Sequence, residues 1–360
     1  MRKLGILGLG VLGYMPLTIK CALRTIGTAR HRRNLLGICL AGSILIQAGL
    51  GLARGSRPVR QQSSKEVAVT FDDLPLNGPD LGVESMRDMT ARLMAVIKSS
   101  QIPVVGFVNE SRLQRPGEVE QRVAVLRMWL DAGAELGNHT YSHPDLQRTD
   151  LKNYEEDVVR GEVTTTSLMK ARGLKLRYFR YPFLHTGPDL ATRKAFESFL
   201  SRRGYTNAPV TIDNSDWEFN SVYVNALRRG DAELAHRVEE AYLQYIPKIV
   251  EFFERMSSDV LGRQVRHILL LHANQLNAAH LADIVAILKQ KGFSFISLGR
   301  ALEDPAYGLP DNYAGPMGVS WLERWAFSKG MPMRTSEEPD PPDFVDKLYK
   351  QFTRPSPASN

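Results

Sequence analysis

The sequence predicts a single α/β barrel, and three observations carry that prediction. Apolar strand-like runs alternate with helical patterns from residue 66 to about residue 300. Such alternation means βα units and a parallel sheet. Seven strand candidates occur over that span, which suits one closed barrel better than an open sheet with a crevice. Finally, every chemistry-bearing polar group falls at the C-terminal end of one of those strands, where barrels of this kind place their working residues.

The elements read in order as follows. Glu66–Phe71 is the first strand and Val83–Ser99 a helix. Pro103–Val108 is a strand, Val119–Ala132 a helix and Ala134–Asn138 a strand. Leu151–Ala171 reads as one helix, followed by a strand at Leu176–Tyr181 and a helix at Asp189–Arg203. Thr206–Ile212 is a strand. A long helical stretch, roughly Val222–Met256, then interrupts the rhythm as an insertion at about 220–260. The alternation resumes with His267–Leu271 (strand), Ala278–Lys291 (helix) and Ser294–Ser297 (strand). The tail beyond Pro310 is rich in proline and acidic residues and is expected to wrap the surface or be partly disordered. No internal repeat is visible. The expected organisation is a leader at 1–53, a linker at 54–65, a catalytic domain at 66–305 and a C-terminal extension at 306–360.

The 360 residues are 43% hydrophobic and 24% charged, ordinary values for a folded globular chain. The net charge of +7 arises in the leader. Residues 1–60 hold ten Lys or Arg and no acid, which leaves the other 300 residues with 36 basic and 39 acidic side chains. A body at −3 gives no case for nucleic-acid binding. His31-Arg32-Arg33 precedes a largely apolar run, Leu35–Ala53, with small residues near its end. That is the layout of an export signal, and the run is also long enough for an uncleaved membrane anchor through residues 35–53. Either form predicts an exported body, periplasmic or extracellular. A weaker apolar stretch occupies residues 1–29. Both cysteines, Cys21 and Cys39, lie in the leader, so the body has neither disulfides nor thiol chemistry.

Five constellations carry chemistry. Thr70-Phe71-Asp72-Asp73 closes the first strand with two carboxylates that alternate in direction, so one can ligate a metal while the other stays free as a base. Such a pair also serves as a plain turn or cap. His139-Thr140-Tyr141-Ser142-His143 follows the third strand. Two His four apart on a helical turn share a face and can bind one ion, although packed or surface histidines give the same spacing. Imidazoles and a carboxylate suit zinc or a similar first-row ion, and three protein ligands leave positions open for water. Arg180-Tyr181-Pro182-Phe183 offers a fork for holding a carboxylate, with Pro182 and Phe183 available for a pocket wall. Asp213-Asn214-Ser215-Asp216-Trp217 puts an aromatic beside carboxylates, either as a sugar platform or as rim packing. Leu269-Leu270-Leu271-His272 ends an apolar strand with a histidine, which alone is more often structural than catalytic.

In this order and form the five motifs resemble those of the NodB-type polysaccharide deacetylases, carbohydrate esterase family four, over about residues 66–300. The resemblance implies a distorted (β/α)7 barrel, the NodB homology domain. It implies a metal-dependent hydrolase that removes N-acetyl groups from a carbohydrate, peptidoglycan or another N-acetylhexosamine polymer. Under it, Asp73, His139 and His143 look like the ligands of a divalent metal, zinc first, with cobalt, nickel or manganese as alternatives. Asp72 looks like the general base, oriented by Arg180, and His272 like the general acid, steered by Asp216 or else Asp213. Tyr181 would offer a backbone N–H to the oxyanion, and Trp217 would wall the acetyl pocket. The chain departs from the family in three places: the helical stretch between Trp217 and His267, the extra His185 near the mouth as a candidate substrate contact, and Asn274-Gln275 after His272. The same residues would also serve an acetyl-ester or cyclic-amide hydrolase, or persist in a glycan-binding module without catalysis.

Overall fold

The computed structural model describes residues 65–80 and 82–353. The expected leader, nearly all of the linker and the last seven residues lie outside them, as does the candidate anchor at 35–53. No helix among the described residues is long and apolar enough to cross a membrane.

Seven parallel strands form the frame: β1 (Lys65–Leu74), β2 (Val104–Val108), β3 (Glu135–Asn138), β4 (Tyr178–Phe179), β5 (Thr206–Asn207), β6 (His267–His272) and β7 (Phe293–Phe295). Their spatial order is β5-β4-β3-β2-β1-β6, with β7 joined to the start of β1. The sheet curls until Ile212, past the end of β5, pairs with Leu269 of β6, so one isolated bridge closes a distorted barrel. β1 is buried from Val67 to Leu74, as a central parallel strand must be. Its register with β6 sets Asp72 directly beside His272, and the β2–β3 register sets Val108 beside Asn138. The C-terminal strand ends therefore lie together at one mouth.

Helices pack outside. α1 (Val83–Ser100) buries Met86, Met89, Leu93 and Ile97 at helical spacing, and α2 (Val119–Asp131) buries Val125, Leu126 and Trp129. Trp129 meets Phe71 of β1 edge-on, with ring centroids 5.2 Å apart. α5 (Leu190–Arg202) and α8 (Gln275–Gln290) are the next crossovers, each capped by the side chain before it, Asp189 and Asn274.

The structure corrects four expectations. The single helix at Leu151–Ala171 is two, α3 (Leu151–Arg160) and α4 (Val163–Lys170), because Gly161 passes against the backbone of the 139–143 loop. The strands at Leu176–Tyr181 and Thr206–Ile212 shrink to two residues each. In the second, Pro209 has no N–H for a ladder. The insertion is a helical pair, α6 (Asp216–Arg229) and α7 (Ala232–Leu261), parted at Gly230, which adopts φ 70°, with Asp231 capping α7. After the short α9 (Leu298–Leu302) the tail is built into the fold as far as Thr353, so the wrapping alternative holds there. α10 (Trp321–Ser328) buries Trp321, Leu322 and Trp325, and α11 (Asp343–Thr353) seats Val345 fully against the body. Apolar residues spaced among the prolines supply that burial, and composition alone conceals them.

A Cβ at Gly161 would lie 2.5 Å from the Thr140 carbonyl carbon and the Tyr141 nitrogen. Gly161→Ala is expected to cost about 1–3 kcal/mol, as overpacking does. Urea melts of the two proteins check this, and equal midpoints would mean that the loop yields freely.

Candidate active site

The mouth is built from strand ends. Thr70 accepts a hydrogen bond from Arg180 Nη1 at 2.7 Å and donates to the Leu269 carbonyl at 2.7 Å, tying β1 to β6. Asp72, 2% exposed, accepts from Arg180 Nη1 through Oδ1 at 2.9 Å. Its Oδ2 lies 3.7 Å from His139 Nε2. Burial pushes the Asp72 carboxyl up to about 6, against the opposing charges of Arg180 and His272. Arg180 also donates from Nε to the Ala208 carbonyl at 3.0 Å, and its guanidinium sits 4.4 Å from the centre of the Phe107 ring.

Asp73 turns out of the strand at φ 62°. Asn77 donates to its Oδ2 at 2.7 Å. Its Oδ1 is buried with no hydrogen-bond partner, 3.4 Å from His143 Nε2 and 3.7 Å from His139 Nε2. His139 Nδ1 is 2.8 Å from the Arg180 carbonyl, which can only accept, so Nδ1 carries the proton and Nε2 presents a lone pair. One ligand atom from each of Asp73, His139 and His143 lies within 4.8 Å of the other two. Burial lowers both imidazoles to about 4, more than Asp73 raises them, so they are neutral at pH 7. Burial raises the Asp73 carboxyl, but His143, His139, His272 and Arg112 together outweigh it and hold it low. Two neutral nitrogens and one carboxylate, whose unpartnered oxygen lies near both, fit a divalent first-row cation.

The histidine pair does not sit on a helical turn as its spacing implied. It spans a loop in which Thr140 and His143 adopt φ 68° and 61°. Asp157 of α3 accepts from the Tyr141 and Ser142 N–H groups at 2.8 and 2.9 Å and fixes that loop.

At the end of β6, beside Asp72, His272 Nδ1 is 2.6 Å from Asp216 Oδ1. Burial alone would lower His272, but the charges of Asp216, Asp73 and Asp72 raise it to about 10. Asp216, fully buried at the start of α6, also accepts from the His272 N–H at 2.7 Å, from Asn274 Nδ2 at 3.0 Å and from Asn277 Nδ2. Tyr242 of α7 donates to Asn277 Oδ1 at 2.7 Å. Asp213, the other candidate partner for His272, instead accepts from the Ser215 N–H at 3.2 Å. Asn274 also caps α8.

Five of the remaining expected site residues divide by position. Phe183, at φ 58° and 53% exposed, stands edge-on to His143 with centroids 4.4 Å apart. Pro182 is buried beneath it. The Tyr181 ring is drawn into a buried aromatic group with Phe179 and Phe196, so only its backbone is left to meet a ligand at the mouth. His185 Nδ1 is bound to Asp145 Oδ1 at 2.8 Å. Trp217, 36% exposed, packs edge-on against Tyr349 of α11 with centroids 5.1 Å apart, a rim contact that leaves part of its ring open. Sequence reasoning missed Asn77, Asn277 and Tyr242. Asn77 lies four residues past Asp73, the one local signal available; Asn277 and Tyr242 reach the site only through tertiary packing.

The family model described as "Polysaccharide deacetylase" matches residues 59–197. A Bacillus cereus protein named peptidoglycan-N-acetylglucosamine deacetylase is 27% identical over 186 residues, 50% of this chain and 58% of that protein. A chitin deacetylase of Colletotrichum lindemuthianum is 23% identical over 249 residues, 69% of this chain and 82% of that protein. Its solved structure superposes with TM-score 0.45 at 23% identity, covering 66% of this chain and 87% of that one. The resemblance carried by the five motifs is borne out: the polysaccharide deacetylase model matches part of the barrel, and both relatives carry the name of a deacetylase.

Asn77 orients the oxygen pair of Asp73, and losing such an outer partner typically weakens metal binding by about 10–100-fold. Asn77→Ala should show that loss in a competition titration with a chromogenic chelator, while the melting point of the metal-free protein stays put. Unchanged affinity would remove Asn77 from the site.

Proposed function

We propose that this chain is a metal-dependent hydrolase that removes N-acetyl groups from peptidoglycan or another N-acetylhexosamine polymer. The observation that carries the reading is the convergence of Asp73, His139 and His143 on one point, with Asp72 beside it and His272 next to Asp72 on the adjoining strand. The relatives' names support the substrate class, since both denote deacetylases of polymers containing N-acetylglucosamine. Zinc is the cation this donor set favours, with cobalt, nickel or manganese as substitutes. The leader would put the body outside the cytoplasm, periplasmic or extracellular, where such glycans occur, and residues 35–53 would hold it at the membrane if they are not removed.

A bound cation would supply Lewis acidity to the acetyl carbonyl and acidity to a water molecule. The chain's own residues do the rest. Asp72, pinned through Oδ1 by Arg180, keeps Oδ2 toward the metal ligands and takes the water proton. A carboxyl near 6 is ionised at neutral pH yet basic enough to accept. The Tyr181 N–H is offered to the developing oxyanion. His272, held protonated by Asp216, gives its proton to the sugar nitrogen as the amide C–N bond breaks, since an amine leaves only when protonated. Phe183 presents a flat apolar ring at the mouth for one face of a sugar.

Acetate release from N-acetylglucosamine oligomers and peptidoglycan, with and without chelator, tests the reading. Asp73→Ala should lose metal and activity together. Asp72→Asn should retain metal and lose about 10²–10⁴-fold in turnover. Release from acetyl esters alone would reassign the bond, and binding of glycan with no release would leave only a glycan-binding module.

The pH profile separates the acid from its support. His272 must be protonated to act, so activity falls as pH rises through its pKa, and a nearby cation shifts that limb downward. Removing the Asp216 charge lowers the His272 pKa further. Asp216→Asn should therefore move the alkaline limb toward acid, and a limb that stays in place would cut Asp216 out of the mechanism.

A further inference from the structure

The helical insertion brings into the site a side chain that belongs to none of the five motifs. α6 starts at Asp216 and runs about 20 Å outward, and after the turn at Gly230 α7 returns about 15 Å before it reaches Tyr242. The return sets Tyr242 against Phe219 in the first turn of α6, ring centroids 5.2 Å apart, and buries it fully. A phenylalanine would fill that place as well. The hydroxyl therefore calls for its own explanation.

Its bonds form a ring with one possible direction. Asp216 Oδ2 and the His272 carbonyl can only accept, so Asn277 turns its Nδ2 to both, reaching the carbonyl at 2.9 Å. Asn277 Oδ1 then needs a donor, and Tyr242 Oη supplies one at 2.7 Å. With its proton spent, the Tyr242 oxygen accepts from Asn214 Nδ2 at 3.2 Å. Asn214 Oδ1 accepts from the Asp216 N–H at 3.2 Å, and the ring closes on Asp216. Asn214, Asp216, Tyr242 and Asn277 are all fully buried, so losing one member leaves its neighbours unmet.

One hydroxyl thus fixes the orientation of two amides. A flipped Asn277 would aim its oxygen at the Asp216 carboxylate. In the observed orientation Oδ2 of Asp216 is filled by Asn277, Asn274 and the His272 N–H, which leaves Oδ1 for His272 Nδ1 at 2.6 Å. The imidazole is held by one carboxylate at two points, its Nδ1 and its own backbone N–H, and Nε2 is the nitrogen left to meet a substrate.

We propose that Tyr242 is a positioning residue for the proton-donating step: through Asn277 and Asn214 it fixes Asp216, and so the direction in which His272 presents Nε2. The inference rests on the deacetylase reading given above and gives the insertion a part in the reaction.

Tyr245, one turn further along α7, provides the control. It is buried too, but its hydroxyl donates to the Pro339 carbonyl at 2.8 Å, outside the ring. Tyr242→Phe and Tyr245→Phe in the full chain should lower the melting point by similar amounts. On a soluble N-acetylglucosamine oligomer, Tyr242→Phe should lose about 10–100-fold in kcat with KM changed by less than about twofold, and Tyr245→Phe should keep both. Adding Tyr242→Phe to Asn277→Ala should cost almost nothing further, because the two act through one contact. The nuclear magnetic resonance signal of the His272 Nδ1 proton, assigned by its absence in His272→Gln, should move or broaden in Tyr242→Phe and stay put in Tyr245→Phe. Equal kcat and an equal signal in the two tyrosine variants, or losses that multiply in the Asn277 double variant, overturn the proposal. A wild type that releases no acetate overturns the deacetylase reading instead, and the His272 signal still decides whether Tyr242 positions the imidazole.

Discussion

The mouth depends above all on the Arg180 guanidinium. It reaches Thr70 and Asp72 on β1 and the Ala208 carbonyl past β5, while its own carbonyl fixes the His139 ring. One residue thus sets the direction of the base, the tautomer of a metal-facing imidazole and the distance between two strand ends. A buried cation needs acceptors close by; Arg180 finds them at Nε and Nη1, while its Nη2 is left without a partner. A lysine ammonium, one charge on a flexible stem, could not hold Asp72 and Ala208 in fixed directions together.

Around that fixed point the site separates two adjacent carboxyls by environment. Asp72 lies deep against one guanidinium, and burial dominates it; Asp73 sits amid three imidazoles and near Arg112, and attraction dominates. The end of β6 uses the same logic with the sign reversed. His272 is buried, which disfavours its charge, yet the fully buried Asp216 keeps it protonated. Asp216 can stay there because Asn274, Asn277 and a backbone N–H all donate to it. Through Tyr242 and Asn277, the helical insertion is part of that support and not merely an appendage to the barrel.

The barrel and the five motifs were legible because they are local: a period of strand and helix, and short runs at strand ends. What was hidden depends on contacts between distant segments. Gly161 ends a helix to admit a loop twenty residues upstream. Trp217 follows the motif by sequence, but α11, more than a hundred residues later, packs edge-on against its ring. The prolines and acids of the tail outweighed its few large apolar residues in composition, yet Trp321 and Trp325 are buried. The His139–His143 spacing was read with the right ligands and the wrong backbone, since a helix and a loop of left-handed residues can bring the same two rings together.

That backbone has a physical consequence. Asp73, Thr140, His143, Phe183, Leu184 and Ser215 all adopt φ between 53° and 68°, and all border the mouth. Non-glycine residues hold such angles only where their surroundings impose them, at about 1–3 kcal/mol each. The surroundings are visible at the histidine loop. Asn138 Oδ1 takes the Thr140 N–H at 2.7 Å, Thr140 Oγ1 takes the His143 N–H at 3.0 Å, and Asn109 holds the His139 carbonyl. With Asp157 binding the next two amides, the loop is constrained at every residue from 139 to 143. The ligand geometry is therefore set by the protein's own hydrogen bonds, and a cation entering it would not have to order the loop. Among the described non-glycine residues with positive φ, Gln101 at the end of α1 is the one remote from the site, and backbone strain gathered at the mouth is what a preorganised site requires.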